Sequence, residues 1–191
     1  KKISKIKFDN LVYKPSPHLL SSIIKYQKKK FNINNISSEN FWNNEQIKEK
    51  EFRRLNNFYW FFSLDLKSSK KITQSIILNW IEKNFKYNSK SWEFDLTSKR
   101  IIAWLSNHNL TIKESDKDYL NLLIEMIQKQ TNHLMSEINN SKKIDDKMIG
   151  CAAIILVGLC YKDEKNYLQY GLNLIKKISN QAFDNYGFPK S

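Results

Sequence analysis

Arg100 is the charged residue of this sequence whose apolar neighbours most clearly indicate a need for specific partners or a ligand. It stands inside the apolar run Arg100-Ile101-Ile102-Ala103-Trp104-Leu105. If this run is helical, Leu96, Arg100 and Trp104 share one face, because residues four apart align along a helix. A guanidinium between large apolar side chains loses its hydration, so it needs hydrogen-bond partners or an anionic ligand. The nearby carboxylates Glu93 and Asp95 are the first candidates for partners.

Two other residues carry groups that transfer protons. His133 lies three residues after Gln130, on the inward side of a predicted long helix. A histidine there is either a hydrogen-bonded core residue or a group that binds a ligand or transfers a proton. Tyr186 stands beside Gly187 in a turn segment, where its phenol either packs on the surface or reaches a cleft. The sequence has no glycine-rich phosphate loop, zinc-ligand spacing or nucleophile elbow, so neither a metal nor a cofactor is predicted.

The tryptophans and one tyrosine divide into two groups by their positions. Loop positions, where a flat ring can stack on the apolar face of a sugar, are predicted for Trp42, Tyr87 and Trp92. Core positions on helical stripes are predicted for Trp60, Trp80 and Trp104.

Apolar residues recur at three- and four-residue steps from residue 51 onwards, which predicts an all-α fold of antiparallel helices joined by short loops. The predicted helices span residues 51–66, 69–85, 95–105, 115–138, 144–161 and 166–183. The predicted caps are Ser69, Asp95 or Thr97, and Ser115. Residues 1–50 are predicted to be an extended, loop-rich segment with a short helix near 18–30, and residues 51–191 to be the helical domain.

The composition favours an acidic partner. The 191 residues carry a net charge of +13, and the pI is near 9.6. Such a charge suits nucleic acid, anionic polysaccharide or an acidic membrane surface. However, the lysines are spread along the chain, and heavy use of Lys, Asn and Ile is also what an AT-rich genome produces. Charge alone therefore does not identify the partner.

The cysteines and the longest apolar run indicate in which environments the chain could lie. Cys151 and Cys160 are too far apart along one predicted helix to form a disulfide, so buried free thiols are expected. Free thiols are compatible with either cytoplasm or periplasm. The apolar run from Met148 to Cys160 is too short to span a bilayer, so no membrane span is predicted.

A series of short motifs runs along the chain from about Arg53. They are Arg54-Leu55-Asn56-Asn57-Phe58-Tyr59-Trp60 with Leu64-Asp65, Trp80, Trp92 with Arg100-Ile101-Ile102-Ala103-Trp104-Leu105, Gln130 with His133-Leu134, Ala152-Ala153-Ile154 through Gly158-Leu159, and Gly187 to Ser191. In order and spacing they resemble the helical N-terminal half of the heparinase II/III-like proteins, in particular the bacterial branch found beside envelope-biosynthesis functions.

The resemblance implies a fold and an activity. The fold is an incomplete (α/α) toroid of helical hairpins, followed by a C-terminal β-sandwich that residues 51–191 would precede. Enzymes of the family cleave uronic-acid polysaccharides by β-elimination. This reaction needs a group that neutralises the carboxylate, a base for the C5 proton and an acid for the leaving oxygen. The resemblance assigns substrate binding to Arg100, Trp92 and Gln130, and proton transfer to His133 and Tyr186.

The sequence also departs from the family pattern. Asp145-Asp146 stands where lyases of the family often carry an asparagine-histidine pair, and Phe188-Pro189 stands where many relatives have histidine. A carboxylate repels a uronate instead of neutralising it. A non-catalytic glycan-binding module for envelope polysaccharides is therefore the main alternative to a lyase. Nucleic-acid binding ranks last, because the sequence has no recognition motif for it.

Overall fold

The structure is a computed structural model, and it describes residues 42, 48–64, 69–161, 166–184 and 187. Throughout this part of the chain the regular elements are helices, which confirms the predicted all-α class. The α-helices are α1 (Glu49–Asn56), α2 (Lys70–Asn84), α3 (Phe94–Ser106), α4 (His108–Thr111), α5 (Lys117–Glu137), α6 (Ile144–Cys160) and α7 (Tyr167–Ala182), and a 3-10 helix spans Tyr59–Ser63. The predicted segment 1–50 lies almost entirely outside the described residues.

The prediction of one helix over 51–66 is wrong, because α1 ends at Asn56. The Nδ2 of Asn56 donates to the Phe52 carbonyl, and the Asn57 Oδ1 accepts from the Tyr59 N–H. Such side-chain bonds compete with the helical ladder. Phe58 then adopts a left-handed conformation, with φ of 57°. This reversal directs the Phe58 ring into the core, where its centroid lies 5.2 Å from that of Trp104.

The predicted caps are correct in one case and displaced in two. Ser69 caps α2, since its Oγ accepts the Ile72 N–H. The cap of α5 is Asp116, one residue after the predicted Ser115. Helix α3 begins at Phe94 with no side-chain cap.

The two residues predicted to cap α3 have other partners. Asp95 pairs with Arg53 and Lys99, while the Thr97 Oγ1 accepts a hydrogen bond from Arg100. Their oxygens therefore bind cationic side chains instead of the N–H groups of the first turn.

Helix α3 is the centre of the described fold. It packs against α1, the 3-10 helix, α4, α5 and α6, and α6 in turn packs along α7. The predicted core tryptophans Trp60, Trp80 and Trp104 are all buried. Helix α2 packs against α4 and α5, so α3 and its direct neighbours together form the interior of the described fold.

The contact between α6 and α7 depends on a small residue. A Cβ placed on Gly158 would lie 2.3 Å from the backbone nitrogen of Leu168, which is far inside van der Waals contact. Both cysteines, on α6, are free and buried as predicted, and burial raises the pKa of the Cys160 thiol to about 12. Within the described part of the chain, no helix combines the length and apolar character needed to cross a bilayer.

Candidate functional site

Arg100 lies at the centre of α3 with no exposed surface, and oxygen atoms from four segments surround its guanidinium. Its Nη1 donates to the carbonyls of Asn56, at 2.8 Å, and Ser91, at 3.1 Å. Its Nε donates to Gln130 Oε1 at 3.2 Å, and its Nη2 to Thr97 Oγ1 at 3.2 Å. The side chain thus links the end of α1, the loop before α3, α3 itself and α5.

The partners of Arg100 are neutral oxygens. The guanidinium carbon lies 3.9 Å from the centroid of the Trp80 ring, which adds a cation–π contact. Desolvation by burial shifts the pKa of Arg100 well below its usual value. The positive charge is therefore stabilised by dipoles and an aromatic face.

The expected pairing of Arg100 with Glu93 or Asp95 is wrong. Both carboxylates bind Arg53 of α1, the Asp95 contact measuring 3.1 Å. Lys99 also contacts Asp95, at 2.6 Å. The hydrogen bond that Arg53 donates to Glu93 raises the pKa of Arg53. Water reaches these groups and lowers the cost of their charges, whereas a carboxylate beside Arg100 would have to be desolvated completely.

The loop before α3 is held from both sides. Arg100 binds the Ser91 carbonyl from the interior, and His133 Nε2 lies 2.9 Å from the Trp92 carbonyl. The Trp92 Nε1 donates to the carbonyl of Asn84, at the end of α2, at 2.9 Å. These bonds fix residues 91 and 92 between α2, α3 and α5. The sequence left two possibilities open for Arg100, hydrogen-bond partners within the protein or an anionic ligand, and the geometry shows the first.

An open pocket of about 260 Å³ lies on the outer side of this loop. It is lined by Tyr87, Ser89, Trp92, Glu93, Phe94, His133, Glu137, Asn140 and Ser141. We call it the Tyr87 pocket. The Tyr87 side chain is 65% exposed, and its ring centroid lies 5.4 Å from that of His133 and 6.0 Å from that of Trp92. Three rings therefore form one wall, of which Tyr87 offers most of the free surface.

The hydrogen bond of His133 determines which nitrogen is available for chemistry. A carbonyl oxygen only accepts, so Nε2 must carry the proton that bonds to Trp92. In the neutral ring the lone pair then lies on Nδ1. The same carbonyl contact orients the imidazole, as a positioned base requires.

The structure brings four of the five predicted site residues into one cluster. Arg100, Gln130, Trp92 and His133 are connected through the loop at 91 and 92. Gln130 is buried, and its Nε2 has no hydrogen-bond partner among the residues that the structure describes. Trp92 is only 5% exposed, so its ring supports the wall more than it offers a surface. The predicted proton-transfer residue Tyr186 lies outside the described residues.

A second, basic concavity of about 440 Å³ lies beside the Tyr87 pocket, across the Arg53–Glu93 ion pair. It is lined by Lys48, Lys50, Glu51, Arg53, Arg54, Asn57, Asp95, Leu96 and Lys99. We call it the α1 basic pocket. This pocket was not predicted, although the three- and four-residue spacing of Lys50, Arg53 and Arg54 indicates a basic helix face.

We also searched for a metal-binding geometry and for known relatives of the chain. Among the residues that the structure describes, no group of three or more His, Cys, Asp or Glu side chains is arranged to hold a metal ion. No family model, curated protein or solved structure matches the chain.

Proposed function

We propose that the chain is the helical domain of a heparinase II/III-like protein and that it binds an acidic, uronate-containing polysaccharide. The observation that carries this proposal is the Tyr87 pocket, where an exposed aromatic ring stands beside an oriented histidine. The incomplete toroid and the C-terminal β-sandwich belong to the same proposal.

The walls of the Tyr87 pocket have the chemistry that a sugar ring requires. The exposed face of Tyr87 can pack against the C–H face of a pyranose. Ser89, Asn140 and Ser141 supply hydroxyl and amide groups along the pocket lining, which can bond to sugar hydroxyls. An apolar plate with convergent polar groups is typical of small-ligand sites.

The charges around the pocket support an acidic polymer. Glu93 lines the pocket but is paired with Arg53, so its charge is compensated. The net charge of +13 attracts a polyanion over long range. The basic residues of α1 lie immediately beyond the ion pair. A uronate chain would therefore be attracted by the basic surroundings, although the pocket lining also includes Glu137, whose carboxylate accepts a hydrogen bond from Asn140 and forms no ion pair among the described residues.

β-Elimination would require a base near C5 of the bound uronate. In the proposed reaction the Nδ1 of His133 takes this proton, because Nε2 is engaged with the Trp92 carbonyl. Tyr186 is proposed as the acid for the leaving oxygen. Arg100 and Gln130 act in this proposal from beneath the site, by holding the loop that carries Trp92.

A non-catalytic glycan-binding module is the second candidate, and one observation favours it. Asp145 and Asp146 occupy the first turn of α6, where acidic side chains stabilise the positive end of the helix dipole. They do not supply the amide-imidazole pair expected of a lyase. This module would bind the same polymers without cleaving them.

The experiment measures binding and cleavage on the same samples. Heparosan, alginate and glucuronan, with neutral dextran as reference, are titrated into the purified chain by calorimetry. We expect at least one uronate polymer to bind, and Tyr87→Ala to weaken binding by about tenfold through loss of stacking. Leu172→Ala, at a side chain of α7 that is 45% exposed, is the matched control and should leave binding unchanged.

Ultraviolet absorbance of unsaturated uronate ends separates the two candidates. Measured on the protein with its proposed C-terminal β-sandwich, an increase that His133→Gln abolishes would support the lyase, whereas binding without any increase would support the non-catalytic module. Failure of all three uronate polymers to bind would refute the proposed function.

A further inference from the structure

The proposed binding of a saccharide in the Tyr87 pocket gives no role to the basic side chains that line the α1 basic pocket. Five cationic side chains and two carboxylates line it. Arg53 and Lys99 are compensated by Glu93 and Asp95. In the part of the chain that the structure describes, Lys48, Lys50 and Arg54 form no ion pair within 4.0 Å. The pocket therefore carries uncompensated positive charge.

The register of α1 places its basic side chains on one face. Lys50, Arg53, Arg54 and Asn57 follow one another at steps of three, one and three residues, the spacing of a single helical stripe. Like charges three and four residues apart destabilise an isolated helix. A bound anion would relieve this repulsion.

Hydrogen-bond donors accompany the charge. The Oδ1 of Asn57 accepts the Tyr59 N–H, which fixes the carboxamide and leaves its Nδ2 as a donor at the pocket. The Arg54 guanidinium offers a planar fork, and Lys48 and Lys50 offer ammonium groups. Arginine, lysine and amide donors around one concavity match a group with several acceptor oxygens.

We propose that the α1 basic pocket binds a tetrahedral oxyanion, a phosphate or sulfate group, through Arg54, Lys50, Lys48 and the Nδ2 of Asn57. A carboxylate offers only two oxygens and one charge, which would leave donors unused. This site goes beyond the proposed function, because it needs neither Tyr87 nor a uronate.

The experiment is a nuclear magnetic resonance titration of the chain with sodium phosphate, sodium sulfate and sodium acetate at constant ionic strength. We expect saturable shifts of the Asn57 side-chain amide and the Arg54 Nε–H with phosphate or sulfate, and weaker ones with acetate. A hexose phosphate and the matching hexose sulfate then identify which group the site prefers.

Matched variants locate the site. Replacing Lys50 and Arg54 together by alanine should raise the dissociation constant by about tenfold or more, since charged hydrogen bonds are lost. Replacing the exposed Lys176 and Lys177 of α7 by alanine removes the same charge, and should change it by less than about twofold. Far-ultraviolet circular dichroism checks that both double variants are folded.

Three results would overturn the proposal. One is the absence of saturable shifts with phosphate and sulfate, and another is an equal loss in the two double variants. The third is binding of duplex DNA without a response to the small anions. Tyr87→Ala should leave anion binding intact, so failure of the saccharide pocket and failure of this site are distinguishable.

Discussion

Two arginines connect the same two segments of the chain, but they use opposite chemistry. Arg100 reaches the last residue of α1 and the loop at 91 from the interior, and its partners are neutral oxygens. Arg53 reaches from α1 to Glu93 and Asp95 on the outside, and its partners are carboxylates. One contact is completely buried and the other is partly exposed to water.

The difference shows how burial selects the partner of a charge. Fully desolvating both a guanidinium and a carboxylate costs several kcal/mol per ion. Carbonyl and amide oxygens, together with the face of Trp80, hold Arg100 without adding a second buried charge. At the surface, solvent carries part of the cost and carboxylates become the better partners. We therefore expect the two contacts to differ greatly in their contribution to stability.

The largest effect is expected from Arg100→Met. Methionine fills similar space but leaves the carbonyls of Asn56 and Ser91 and the oxygens of Gln130 and Thr97 without their donor. The free energy of unfolding should fall by about 3–5 kcal/mol, because buried polar groups become unsatisfied. Urea denaturation measures it, with Lys176→Met as the exposed control. A variant as stable as the wild type would show that the buried contacts contribute nothing net.

The buried thiol of Cys160 provides a second test of how burial changes the cost of a charge, this time at alkaline pH. Burial raises the pKa of the Cys160 thiol from 9.0 to about 12. The neutral thiol contributes its full stabilisation at pH values below its pKa in the unfolded chain. This contribution is lost as the pH rises towards its pKa in the folded protein. Cys160→Ala should therefore lose less stability than wild type between these two values, by up to about 1.4 kcal/mol per pH unit. Parallel stability curves for the two proteins over this range would contradict the prediction.

The smallest effect is expected from Arg53→Ala. The Arg53 side chain is 35% exposed and that of Glu93 44%, so solvent screens their attraction. The free energy of unfolding should fall by only about 0–1 kcal/mol, and the difference should vanish near 1 M salt. Urea denaturation at low and high salt measures both. A loss as large as that from Arg100→Met would remove the distinction between the two arginines.

Much of the fold follows from the periodicity of the sequence. The long apolar stripes of α2, α5, α6 and α7 determine both the helices and their buried faces. The break after Asn56 could not be read from that pattern, since it depends on two asparagine side chains that compete with the backbone. The cap of α5 moved by one residue, because the Ser115 hydroxyl bonds to the Ile112 carbonyl, and α3 has no side-chain cap, because Asp95 and Thr97 bind cationic side chains instead.

The candidate site was predictable only in part. The apolar run around Arg100 indicated a buried charge. Arg53, however, is about 40 residues away from Glu93 and Asp95 in the sequence, so its ion pairs with them depend on tertiary packing. Trp92 occupies a loop, as predicted, yet three neighbouring segments bury it. Tyr87, by contrast, is exposed as its loop position suggests. Its proximity to His133 appears only once α5 lies beside the loop.

The most direct test of the proposed saccharide pocket is a nuclear Overhauser measurement on the chain with a uronate oligosaccharide taken from the polymer that binds. We predict intermolecular signals between the Tyr87 ring protons and the pyranose C–H protons, and further signals from the His133 ring. Tyr87→Ala should remove the first set and weaken binding. Sugar signals confined to residues elsewhere, such as the exposed face of α7, would contradict the account.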